Sequence, residues 1–107
     1  MSYVDGYLVP VRTEDRDAYA AVARAAAVVF RELGATRVVE CWADDVRAGE
    51  LTDFYRAVNA VDGETVVFSW IEWPSREVRD AAMPKMMSDP RMQELACPFD
   101  GKRLVYG

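Results

Sequence analysis

The sequence contains no histidine. That absence removes the commonest general base at neutral pH, the commonest zinc ligand and the usual proximal haem ligand. Any acid–base chemistry must then run on carboxylates, Tyr, Cys, Lys or Arg, and neither a metal nor a resident cofactor is expected. Cysteine is scarce. Cys41 and Cys97 are the only two, and neither stands in a CxxC pattern. Two cysteines make no disulfide framework, so reduced thiols in a cytoplasmic protein are expected. The opening MSYVDGYLVPVR has no basic region followed by an apolar run, so no signal peptide is expected. No apolar stretch approaches the roughly 18 residues of a membrane span, which argues against membrane insertion. An excess of basic residues is also missing. Thirteen Lys and Arg face eighteen Asp and Glu, a formal net charge of −5. Such a chain repels phosphate backbones, so nucleic acid is not an expected partner.

What is present suits one folded domain over residues 1–107, with 51% hydrophobic and 29% charged residues. A chain of this size buries roughly 65% of its unfolded surface, enough for a core without staples. Residues 3–11 read as a strand, interrupted by Asp5 and Gly6, with Pro10 at an end or edge. Residues 13–33 read as a helix. Thr13 is its expected N-cap, Tyr19, Val22, Ala26, Val29 and Leu33 form its apolar stripe, and Gly34 ends it. A second strand follows at 36–43. The loop after it is long, and residues 54–60 are expected to add a short edge strand. Asp62-Gly63 turns the chain into a third strand at 65–73. Ser75 caps a second helix, which Pro84 is expected to kink or end near Met83. Asp89-Pro90 opens a short helical turn, and residues 102–106 form a last strand.

The order strand, helix, strand, strand, helix, strand predicts an α+β fold: a ferredoxin-like βαββαβ domain with an antiparallel sheet. Its helices roof one face only. Alternation places Val66, Phe68, Trp70 and Glu72 on one side of the third strand, and Val67, Ser69, Ile71 and Trp73 on the other. Neither row is polar. The unroofed face therefore needs a cover, and a second copy of the same sheet is the simplest one.

The segments RVVECWADDV (37–46), ETVVFSWIEWPSREVRDA (64–81), DPRM (89–92) and PFDGKRLVYG (98–107) carry a resemblance. They are similar to those of a bacterial family of YbaA-like proteins, a domain of unknown function. The resemblance implies membership of the dimeric α/β-barrel superfamily, in which two ferredoxin-like sheets pack face to face. Relatives there include cofactor-free monooxygenases, lactone isomerases, haem-degrading enzymes and ligand or sensor domains. Pro84 departs from the family pattern, which keeps a regular helical residue at that place.

Two carboxylates stand out as catalytic candidates, Glu40 and Glu72. Neighbouring second and third strands would aim both into one cavity between the sheet and its partner. Burial beside indole rings would raise their pKa and make a usable base. Pairing with an arginine such as Arg37 or Arg103 is the structural alternative. Trp42, Trp70, Phe68 and Tyr106 are the candidate ligand-binding residues, with Trp73 a further flat surface; filling cores and interfaces is what such aromatics more commonly do. Cys41 reads as a small hydrophobe rather than a nucleophile. Asp44, Asp45, Glu50 and Asp53 read as a solvated acidic loop, since their spacing does not match a calcium loop. Arg76, Arg79, Lys85 and Arg91 read as solvated charges, and Met83, Met86, Met87 and Met92 as soft packing. Asp100-Gly101-Lys102 reads as a turn. The leading expectation is a homodimeric small-molecule-binding protein. The alternatives are a cofactor-free monooxygenase or isomerase with Glu40 or Glu72 as base, and a structural dimer without a ligand site.

Overall fold

The computed structural model describes residues 2–107, so Met1 of the expected domain lies outside the described residues. Strand β1 (Tyr3–Arg12) leads through a 3-10 turn (Thr13–Asp15) into helix α1 (Arg16–Glu32). Strand β2 (Arg37–Trp42) follows, then a one-turn helix α2 (Phe54–Ala57) and strand β3 (Glu64–Trp73). Helices α3 (Arg76–Ser88) and α4 (Pro90–Gln93) precede the two-residue strand β4 (Val105–Tyr106). The four strands form an open antiparallel sheet in the order β2-β3-β1-β4. β1 and β3 are its centre, paired from Tyr3 opposite Trp73 to Arg12 opposite Glu64.

The register sorts every strand residue to a face. Tyr7 stands opposite Ser69, and Ser69 opposite Glu40; Val9 and Trp42 both stand opposite Val67. These residues share the side covered by α1. Two apolar clusters fill the space between sheet and helices. Val9, Val11, Val67 and Tyr19 pack with Trp42, Phe99 and Leu104. Ile71, Trp73, Ala35 and Ala82 pack with Phe30, Val38, Val78 and Met86. Trp73 is fully buried, with Phe30 edge-on at 6.5 Å, and its indole N–H donates to Asp5 at 3.0 Å. The opposite face carries Val4, Leu8, Val39, Cys41, Phe68, Trp70 and Glu72. Residues around α2 pack over one end of it, where Val58 is buried and Phe54 lies 5.7 Å from Phe68. The remainder is bare: Val4, Phe68 and Val105 are all exposed.

Several local expectations need correction. Thr13 does not cap α1; it lies in the 3-10 turn, and its backbone N–H donates to the Gly63 carbonyl at 2.9 Å. Residues 54–60 form no edge strand. Asp53 caps a helical turn there by accepting from the Arg56 backbone N–H at 2.8 Å, while the Arg56 side chain returns to Asp53 and to the carbonyls of Gly49 and Glu50. Side-chain bonding within the loop thus outweighs the strand propensity of Phe54 and Tyr55. Helix α3 does not end at Pro84 but runs through it to Ser88. Pro84 and Asp80 are both exposed, so water can serve the carbonyl that proline leaves without a donor. Ser75 and Asp89 do cap α3 and α4, accepting from the N–H groups of Val78 and Arg91. Gly34 ends α1 at φ +115°, where a Cβ would stand 2.7 Å from Val78 Cγ1. That glycine sets how closely α1 and α3 approach.

Candidate functional site

One cross-strand row on the helix face carries most of the chemistry. From β4 to β2 it reads Tyr106, Tyr7, Ser69 and Glu40, each opposite the next. Residues directly opposite on one face are close neighbours, so register alone aligns three hydroxyls and a carboxylate. Helix α1 lowers a fourth hydroxyl onto the row. Tyr19, buried in the apolar stripe, donates its O–H to Glu40 Oε2 at 2.8 Å. Glu40 as a residue is exposed on the edge strand, yet its carboxyl belongs to this cluster.

The electrostatics follow from that placement. Burial pushes the Glu40 carboxyl above the ordinary glutamate range, and hydrogen bonds from Tyr19 and Ser69 pull it partly back. Burial also raises the Tyr19 phenol, and the Glu40 carboxylate beside it raises it further. Tyr7 is raised, first by burial and then by Asp5. Tyr19 and Tyr7 are therefore neutral phenols across the neutral range, and Tyr19 is the one that donates to Glu40.

Two adjoining spaces with shared walls open around Glu40. A cavity of about 210 Å³ lies between sheet and helices, with Tyr7, Tyr19, Ser69 and Glu40 as its polar groups. Phe30, Ile71, Leu95, Phe99 and Leu104 are among the apolar walls, and Cys97 is at its margin. A groove of about 510 Å³ runs between α1 and β2 on the outer side. Tyr19, Ala23, Val38 and Glu40 line both. The alanines of α1 make this room, since Ala20, Ala23, Ala26 and Ala27 leave space where larger residues would close it.

Glu72 lies elsewhere. It stands on the bare face, opposite Arg37, while Glu40 points to the helix side. The two carboxylates therefore do not share a cavity, because Glu40 and Glu72 fall on alternate faces of adjacent strands. Glu72 accepts from the Trp70 indole N–H at 2.9 Å and has Arg37 at 3.6 Å. Arg103 serves neither candidate. It grips Glu64 with two bonds of 2.8 Å and reaches Asp100 at 3.1 Å, holding the Glu64 carboxyl down at about 2. The aromatic candidates are likewise divided. Trp42 faces the groove, with the Arg16 guanidinium 5.5 Å above its ring. Phe68 and Trp70 lie together on the bare face, ring centroids 5.5 Å apart. Tyr106 ends the polar row on the short edge strand and is exposed.

Tyr19, Tyr7 and Ser69 were not legible as site residues. The only signal for Tyr19 and Ser69 is a hydroxyl in an otherwise apolar stripe, while Tyr7 shares its face with Asp5 and Tyr3. Among the described residues, no group of three or more His, Cys, Asp or Glu is placed to hold a metal ion. No described helix is long and apolar enough to cross a membrane.

Known proteins share this sequence along its whole length. The family described as "Protein of unknown function (DUF1428)" matches residues 2–101. The "Uncharacterized protein YbaA" of Escherichia coli K12 is 60% identical over 109 residues, covering 100% of this chain and 93% of the relative. The protein of the same description in Shigella flexneri matches to the same extent.

Proposed function

We propose, from the premise that the chain belongs to the DUF1428 family of proteins of unknown function, that it binds a small molecule between its sheet and α1. Glu40 and Tyr19 are the polar anchor of that site. One observation carries the reading: a hydrogen-bonded carboxyl and hydroxyl pair stands where an apolar cavity meets an open groove. Ligand sites are characteristically apolar concavities with a few convergent polar groups. Chemical-shift mapping with a library of neutral aromatic and aliphatic fragments tests it. Binding fragments are expected to move the amides of Tyr19, Glu40, Ser69 and Phe99 together. A library that leaves those four unmoved rejects the site.

The strand order supports a finer description of the fold, a ferredoxin-like sheet of the dimeric α/β-barrel type. The bare apolar face supports pairing with a second copy. A cytoplasmic setting belongs to the same proposal. Cys41 and Cys97 are unbridged and belong to opposite sides of the sheet, so they need no oxidising compartment.

Cofactor-free proton transfer is a second reading, favoured by the raised pKa of Glu40 beside a neutral phenol. Glu40 would take a proton from an enolisable substrate, and the Tyr19 O–H, turning from the newly protonated carboxyl, would donate to the enolate oxygen. Incorporation of solvent deuterium into a 1,3-diketone, lost in Glu40→Gln, is its expected signature. Glu72 takes no part in this reading, since it stands on the opposite face of the sheet, held by Trp70 and Arg37.

A further inference from the structure

The geometry points to an amphiphilic anion as the occupant of the α1–β2 groove, a small carboxylate whose apolar tail enters the cavity beneath α1. This deepens the small-molecule reading above and rests on it.

The argument begins with charge. The protein carries a net charge of −5, yet the groove is lined by three arginines, Arg16, Arg24 and Arg31, against the single carboxyl of Glu40, a formal 3 − 1 = +2. None of the three arginines has a carboxylate partner among the described residues. That contrasts with Arg56, Arg79, Arg91 and Arg103, all of which are paired. Spacing is the second element. Positions 16, 24 and 31 fall on one side of α1 and span about 22 Å at 1.5 Å per residue. Between them lie Ala20, Ala23, Ala27 and Val28, so the cations border an apolar floor. The one carboxyl in the groove is already engaged by Tyr19 and lines both the groove and the adjoining cavity.

A cation-bordered, apolar-floored channel leading to an apolar cavity matches a molecule with an anionic head and a short hydrocarbon or aryl tail. Guanidinium groups offer paired N–H donors that suit a carboxylate in two-pronged geometry. The head stays at the exposed arginines and the tail passes Glu40 into the cavity. A neutral tail meets no desolvation penalty there, whereas a second anion beside Glu40 would.

Calorimetric titration of the full chain at low ionic strength with octanoate, octan-1-ol and octylammonium tests the inference. These three share a tail and differ in the head. Octanoate is expected to bind at least about tenfold more tightly than octan-1-ol, a difference of about 1.4 kcal/mol. That preference should shrink as salt is raised. The combined variant Arg16→Gln, Arg24→Gln, Arg31→Gln should bind octanoate no better than octan-1-ol. Its side chains are exposed, so its thermal midpoint should match that of the unaltered chain. Octan-1-ol binding as tightly as octanoate overturns the anion and leaves the cavity standing. Octylammonium binding best does the same and makes Glu40 the head-group partner. Silence from all three overturns the inference, and the cavity then depends on the fragment mapping alone. Retention of the octanoate preference in the triple variant also overturns it.

Discussion

Glu40 and Glu64 are two carboxyls that their surroundings push in opposite directions, and each should leave its own mark on stability. Burial raises Glu40 in the folded chain. Between the ordinary glutamate value of about 4.3 and that raised value, the folded state keeps a proton that the unfolded state has released. Stability contributed by Glu40 is complete below the ordinary value and is lost as pH rises through the raised one. Glu64 is held at about 2 by Arg103, so its contribution is present above the ordinary value and lost as pH falls toward 2. Urea titrations across pH 2–8 should show Glu40→Gln gaining on the parent as pH rises, and Glu64→Gln flattening the acid limb. Tyr19→Phe should cost about 1–2 kcal/mol, since it removes a donor to a charged partner, and should raise the Glu40 titration midpoint read by carboxyl carbon NMR. An unchanged midpoint would separate Tyr19 from Glu40 and remove the anchor.

Helix α3 is the element whose behaviour departs furthest from its sequence. Pro84 leaves the Asp80 carbonyl without its helical donor, yet the helix continues to Ser88. Restoring the donor with Pro84→Ala should stabilise the chain by about 1–3 kcal/mol, read as an increase in the denaturation midpoint without change in slope. A loss of stability would mean that the proline ring makes packing contacts of its own. The same helix shows what a sequence reveals and what it hides. Ser75 and Asp89 are legible as caps because a cap is a contact within three residues. Gly34 is legible as a helix end for the same reason. Thr13 misleads because its backbone N–H is taken by Gly63, fifty residues away in the chain. The turn at Phe54–Ala57 misleads because Asp53 and Arg56 settle it through side chains that propensity ignores. The polar row is hidden altogether, since only the register between strands places Tyr7, Ser69 and Glu40 side by side.

The molecule as a whole is a sheet with one roof. A mixed α+β chain with an antiparallel sheet is legible from the order of elements, and the apolar character of both faces of β3 from its alternation. Read from the sequence alone, that pattern aims Glu40 and Glu72 into one cavity on the unroofed side, and the register between β2 and β3 instead sends Glu40 under the roof. The proposed pairing of two copies through the open face has a direct check. Sedimentation equilibrium of the parent should give twice the chain mass. Phe68→Glu, which sets a charge in the exposed centre of that face, should halve it. A parent that sediments as one chain at 100 µM (roughly the limit of a weak interface) would remove the dimer and leave the cavity untouched. The three tryptophans have a practical consequence for all of these measurements. Trp73 is sealed in the core, Trp70 lies on the unroofed face, and Trp42 sits under Arg16 at the groove mouth. Keeping one indole at a time therefore gives three separate fluorescent windows, on unfolding, on self-association and on occupancy, from a chain that needs no added dye.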